Sequence, residues 1–198
     1  MNTIEFYYDY RSPFAYFASQ RLDIFKNTRL EWKPVLVSGL LNLQVGKALL
    51  DDVTDAMCPA KRAHFMADIF RHIQYWNIPF SPPKPTPPVC DIAMAISAKL
   101  DSDNIEHLLF NHEIFKSVWQ RQQDVQDKEV IRQCLITAGL NPELVDTAVD
   151  DGMAILLNNT SSAFEQGVFG TPSFIVDQDI YFGADRMELL AAGLVQLN

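Results

Sequence analysis

The chain has 198 residues, 48% hydrophobic and 21% charged, the composition of one folded unit with a sizeable core rather than of a disordered chain. Its formal charge of -9 excludes a surface built to neutralise phosphates, so nucleic acid is not an expected partner. No apolar run approaches the roughly 20 residues of a bilayer span, and the first residues lack the basic and apolar regions of a secretory signal, so a cytoplasmic protein with no membrane partner is expected.

Residues 3–8 (TIEFYY), followed by Asp9, are rich in β-branched and aromatic types and predict a short buried strand. Ser12 and Pro13 then supply an N-cap and a first-turn proline, and Phe14, Phe17, Ala18, Leu22 and Phe25 recur at helical spacing, with Asn27 as the expected end. Residues 30–37 predict a second strand whose interior Pro34 suits an edge or a bulge. Pro59 opens a helix that Asn77 closes, with an apolar face of Phe65, Met66, Ile69, Phe70, Ile73 and Trp76. The run 79–88 (PFSPPKPTPP) predicts an extended connector, preferred over an SH3-type ligand. Further helices are expected at about 89–100, 104–121, 127–139 and 142–151, the last opened by Asn141 and Pro142. Residues 173–176 and 180–182 flank a polar turn as a hairpin, and a helix over 185–197 turns Met187, Leu190 and Leu194 inward.

The order βαβ, helical block, ββα implies one small mixed sheet interrupted by a helical insertion, because neither end alone can bury a core. Residues 1–37 and 161–198 are expected to form the sheet domain, and 38–160 the insertion.

Two segments carry a specific signal. One is Phe6-Tyr7-Tyr8-Asp9-Tyr10-Arg11-Ser12-Pro13-Phe14-Ala15-Tyr16; the other is Val168-Phe169-Gly170-Thr171-Pro172-Ser173-Phe174 with Phe182-Gly183-Ala184-Asp185-Arg186. Together they resemble the 2-hydroxychromene-2-carboxylate isomerases and the kappa-class glutathione transferases. The resemblance implies an α/β, thioredoxin-like fold with a large all-helical, DsbA-like insertion. It also implies glutathione as cofactor, an aromatic or conjugated small molecule as substrate, and a homodimer. Ser12 at a helix start sits where orphan N–H groups and the helix dipole favour a thiolate, which makes it the expected catalytic residue. Residues 12–15 read Ser-Pro-Phe-Ala, so dithiol exchange cannot run from this motif. The resemblance implies that Thr171, ahead of a cis Pro172, binds the cysteinyl part of glutathione, and that Ala184 and Asp185 bind its γ-glutamyl end. Asp185 is also expected to cap the terminal helix.

One departure bears on the substrate. The isomerases carry a lysine after the second strand, and the aligned position is Asn42; Lys47, Lys61 or Arg62 is the expected substitute, with Lys61 as the ligand-binding candidate. Arg11, ahead of the serine, either assists a thiolate or contacts an acidic substrate. A kappa-like transferase or glutathione-dependent reductase, and a noncatalytic binding module, are the alternative functions. Cys58, Cys90 and Cys134 fit neither a disulfide framework nor a metal knuckle and read as small buried residues. The histidine spacings match no metal motif and residues 101–104 lack the remainder of a calcium loop, so no metal is expected.

Overall fold

The computed structural model describes residues 3–26, 28–53 and 57–196. Four strands among them, β1 (Thr3–Tyr8), β2 (Arg29–Pro34), β3 (Ser173–Val176) and β4 (Asp179–Phe182), form one sheet in the order β2-β1-β3-β4. β1 pairs parallel with β2 and antiparallel with β3, and β3 pairs antiparallel with β4. The helices are α1 (Pro13–Ser19), α2 (Val37–Gln44), α3 (Pro59–Trp76), α4 (Asp91–Lys99), α5 (Ile105–Trp119), α6 (Lys128–Thr137), α7 (Leu144–Thr147), α8 (Val149–Glu165) and α9 (Met187–Gln196).

The period of two in β1 sets the layers. Ile4, Phe6 and Tyr8 turn to one face and join Trp32, Phe174 and the residues of α4 and α5 in the larger core. Phe6 stands 5.0 Å from Trp32 and 5.1 Å from Phe174, ring centre to ring centre, so the neighbouring strands β2, β1 and β3 share an aromatic row. Tyr7 and Ile175 turn to the other face and pack with Val35, Leu40, Ala163 and Val168. β2 is an edge strand, which accommodates Pro34 at its end.

Several elements depart from their sequence patterns. α1 stops at Ser19 and a 3-10 turn covers Leu22–Ile24, where a helix toward Asn27 was expected; Asn27 itself lies outside the described residues. Long-range contacts draw the chain aside there: Arg21 pairs with Glu188 and lies 4.0 Å over the Trp76 ring. The apolar stripe of α3 is split, since Ile69 is buried whereas Met66 and Phe70 are 47% and 56% exposed. The helix expected at 142–151 is instead α7 followed by the longer α8, which runs through residue 160, the expected domain boundary. Its Asn-Asn-Thr-Ser-Ser stretch has loop composition, yet Thr160 is buried and its hydroxyl donates to Leu156 O at 2.7 Å and accepts Leu36 N–H at 2.9 Å. α3 ends at Asn77, as the pattern predicts, in the left-handed region, φ 50°. The 79–88 segment has neither helix nor strand and runs against the end of α5, but it is not extended throughout: it bends at 84–87, where the Lys84–Pro85 and Thr86–Pro87 peptides are cis. Among the described residues no helix is long and apolar enough to cross a membrane.

The helical block is fastened to the sheet by a buried polar network. His107 Nδ1 donates to the Asp101 carbonyl at 3.0 Å, so Nε2 accepts, and the Ser97 hydroxyl supplies the proton at 2.7 Å. The single proton of the Tyr8 hydroxyl is therefore shared between two acceptors, Ser97 Oγ at 2.5 Å and Asn111 Oδ1 at 2.9 Å, and the Tyr10 hydroxyl donates to the same Asn111 oxygen. Burial lowers the His107 pKa to about 4, the Asp101 hydrogen bond opposing it.

Two outcomes follow from this packing. A Cβ on Gly152 of α8 would fall on the Ala95 carbonyl of α4; Gly152→Ala is expected to cost about 1–3 kcal/mol by forcing the helices apart, read from urea unfolding. His107 is neutral when folded and takes a proton near pH 6.5 when unfolded. Its contribution is complete above that pH and declines as pH falls toward 4, by on the order of 3 kcal/mol in all. The stability difference between wild type and His107→Gln should shrink across that window, and a pH-independent difference would refute the assignment.

Candidate functional site

The candidate site lies at the carboxyl end of β1, where the chain turns into α1. Ser12 has extended backbone, φ −88° and ψ 115°, and its Oγ accepts Ala15 N–H at 3.1 Å. That is an N-cap with Pro13 at the first helical position. The same hydroxyl donates to the Thr171 carbonyl at 3.0 Å, joining the start of α1 to the segment before β3. The Thr171–Pro172 peptide is cis, and Thr171 Oγ1 is buried without a hydrogen-bond partner. Pro172 O accepts Gly183 N–H at 2.9 Å, which brings the residues after β4 beside the same segment. Gly183 is required there: its φ is +102° and a Cβ would stand 2.5 Å from Asp185 Oδ1.

The sequence candidates thus fall into two groups. Ser12, Thr171 and Pro172 are in direct register, and Ala184 and Asp185 follow Gly183 at their margin. Ala184 is buried, whereas Asp185 lies inside a 3-10 turn and its carboxylate pairs with Arg186 at 3.0 Å; the expected helix cap is not formed, because the backbone of residues 184–186 is already turning. Lys61 is exposed in the first turn of α3 and among the described residues is joined to none of the others by hydrogen bond or ion pair. Asn42 is buried and its amide donates to Asp51 O at 2.6 Å, closing the loop after α2. Cys90 and Cys134 are buried as expected, and Cys58 is exposed.

The residue that sequence patterns missed is Asp9. Its fully buried carboxylate accepts Arg11 N–H at 2.9 Å, Arg11 Nε at 3.1 Å, Arg11 Nη2 at 2.8 Å and Val37 N–H at 2.8 Å. One carboxylate therefore ties together the end of β1, the turn before Ser12 and the start of α2. The Asp-x-Arg-Ser spacing was its only local signal. Trp119 of α5 adds a hydrogen bond from Nε1 to Tyr10 O at 2.8 Å. Burial disfavours the Arg11 charge, but Asp9 outweighs it and holds the guanidinium more firmly protonated. Burial, reinforced by Asp9, pushes the Cys90 thiol well above its ordinary range, so it is no nucleophile.

A mixed β2-β1-β3-β4 sheet, with a helix start after β1 facing a cis-proline segment before β3 and helices inserted between β2 and β3, defines a thioredoxin-type protein. The chain belongs to the DSBA-like thioredoxin domain family, whose model matches residues 3–195. Among curated relatives, glutathione S-transferase kappa 1 of Caenorhabditis elegans is 26% identical, the match covering 98% of this chain and 91% of that protein. The 2-hydroxychromene-2-carboxylate isomerase of Sphingobium xenophagum is also 26% identical, with 98% of each chain covered. A solved 2-hydroxychromene-2-carboxylate isomerase has the same fold, with a TM-score of 0.82 at 17% identity over 98% of this chain and 95% of that one.

The Asp9–Arg11 clamp has a direct thermodynamic test. Asp9→Ala and Arg11→Met are each expected to cost about 3 kcal/mol, since either leaves a buried charge short of its partner. In a double-mutant cycle followed by urea unfolding, the combined variant should lose much less than the sum. Strict additivity would show that the two side chains act independently.

Proposed function

We propose that the protein is a glutathione-dependent isomerase of small aromatic or conjugated molecules. The observation that carries this reading is the Ser12 hydroxyl, held at a helix start against the carbonyl of Thr171, in a motif without a thiol of its own. The fit to glutathione rests on Thr171, a buried residue with an orphaned hydroxyl whose carbonyl accepts only from Ser12 among the described residues. Glutathione held there would supply a thiolate for reversible addition to a conjugated bond.

The chain's own part is to bind and orient. Thr171 and Pro172 offer backbone for an extended peptide to pair with, and Ala184 and Asp185, which follow Gly183 beside Pro172, are assigned the γ-glutamyl end. Once the Thr171 carbonyl takes a ligand N–H, the Ser12 hydroxyl is released to donate to sulfur at the positive end of α1. The proton therefore changes partner without leaving Ser12. The names of the relatives, a kappa glutathione transferase and an isomerase, support a glutathione enzyme and keep the transferase as the second reading. The cysteines form no disulfide, which supports a reducing compartment; the cytoplasm and a homodimeric state belong to the same proposal.

Thermal melts with and without millimolar glutathione test the reading. At 100 times its dissociation constant the ligand adds about 2.7 kcal/mol, a rise of about 5–10 °C for a chain of this size, and Ser12→Ala should remove most of it. An unchanged wild-type melting temperature would refute glutathione as the cofactor. In turnover assays, constant free thiol marks the isomerase and falling thiol the transferase or reductase.

A further inference from the structure

Arg11 is the cation nearest in sequence to Ser12, and its guanidinium is used on one side only. Nε and Nη2 grip Asp9. Nη1 makes no hydrogen bond among the described residues; its nearest acid is Asp91 Oδ1 at 3.8 Å, beyond hydrogen-bond distance, and the side chain is 17% exposed. Asp91 is the first residue of α4 and is itself half exposed. The open edge faces the first turn of α4, while in the chain Arg11 stands between the carboxyl end of β1, the end of a parallel pair where ligands gather, and Ser12. Asp9 supplies the rigidity: a guanidinium already gripped on two nitrogens loses little freedom when a third group docks. The position aligned with the isomerases' lysine offers no such donor, because Asn42 is buried and spent on Asp51 O.

We propose that Arg11 is the specificity residue of this site, donating from Nη1 to the carboxylate of a small conjugated acid, with Asp91 as the competing anion that keeps the edge in place until such a substrate arrives. The assignment rests on the isomerase reading for its reaction but not for its test, since anion recognition at Arg11 requires no glutathione.

The probes are trans-cinnamate and the neutral cinnamamide, titrated calorimetrically into the protein without glutathione. Wild type should bind cinnamate about tenfold more tightly than the amide, as a charge-assisted hydrogen bond provides. Arg11→Met should bring the ratio to about one by weakening cinnamate alone. Asp91→Asn, an exposed change that leaves Asp9 untouched, should strengthen cinnamate about threefold and leave the amide unchanged. Equal or undetectable binding of both probes to wild type overturns the proposal, as does a tenfold ratio that survives in Arg11→Met. Should Arg11→Met fail to fold, Asp91→Asn decides, and unchanged or weakened cinnamate binding overturns it. A failed glutathione melt beside an intact cinnamate ratio would count against the isomerase reading alone.

Discussion

A carboxylate removed from water is tolerated only where donors surround it, and Asp9 meets that condition with the guanidinium of Arg11 and the backbone N–H groups of Arg11 and Val37. The rest of the site depends on this arrangement. It fixes the exit of β1, so that Ser12 falls where its hydroxyl reaches both Ala15 N and Thr171 O. It also anchors the start of α2, which packs with α8 behind the sheet through Leu36 and Thr160. The buried anion converts a flexible strand-to-helix turn into a rigid corner.

The inserted helices complete that corner. Asn111, Phe115 and Trp119 stand four residues apart on α5, hence on one face of it. Asn111 receives the hydroxyls of Tyr8 and Tyr10, Phe115 packs against both rings, and Trp119 holds the Tyr10 carbonyl. Strand and insertion are thus joined by directional bonds as well as by apolar burial. A polar network of this kind tolerates few alternative packings, because each displaced hydroxyl would be left unpaired in a low-dielectric interior.

The chemistry available at the corner is narrow. Ser12 carries no thiol, and burial beside Asp9 raises the Cys90 thiol, so under the proposed function the sulfur nucleophile comes from outside the chain. Asp9 also quenches most of the positive field of Arg11, so the guanidinium contributes direction rather than bulk potential. Favourable charge at Ser12 comes chiefly from the start of α1.

Local signals were legible without coordinates. The β-branched and aromatic run of β1, the Ser12–Pro13 cap, the helix stop at Asn77 and the 173–182 hairpin each depend on a few adjacent residues, and all appear within a residue or two of where the patterns put them. The meeting of Ser12 with Thr171 was readable only through resemblance to a family, since nothing local links residues 159 positions apart. The sequence by itself thus determined the elements, the capping serine and the absence of a redox pair. Tertiary structure decided where α1 ends, that the polar stretch of α8 is helical, that Asn42 is buried and that Asp9 governs the corner. The physical reason is range: caps and periodicity act over one or two turns, whereas the partner of a buried polar group is chosen by whichever distant segment packs against it.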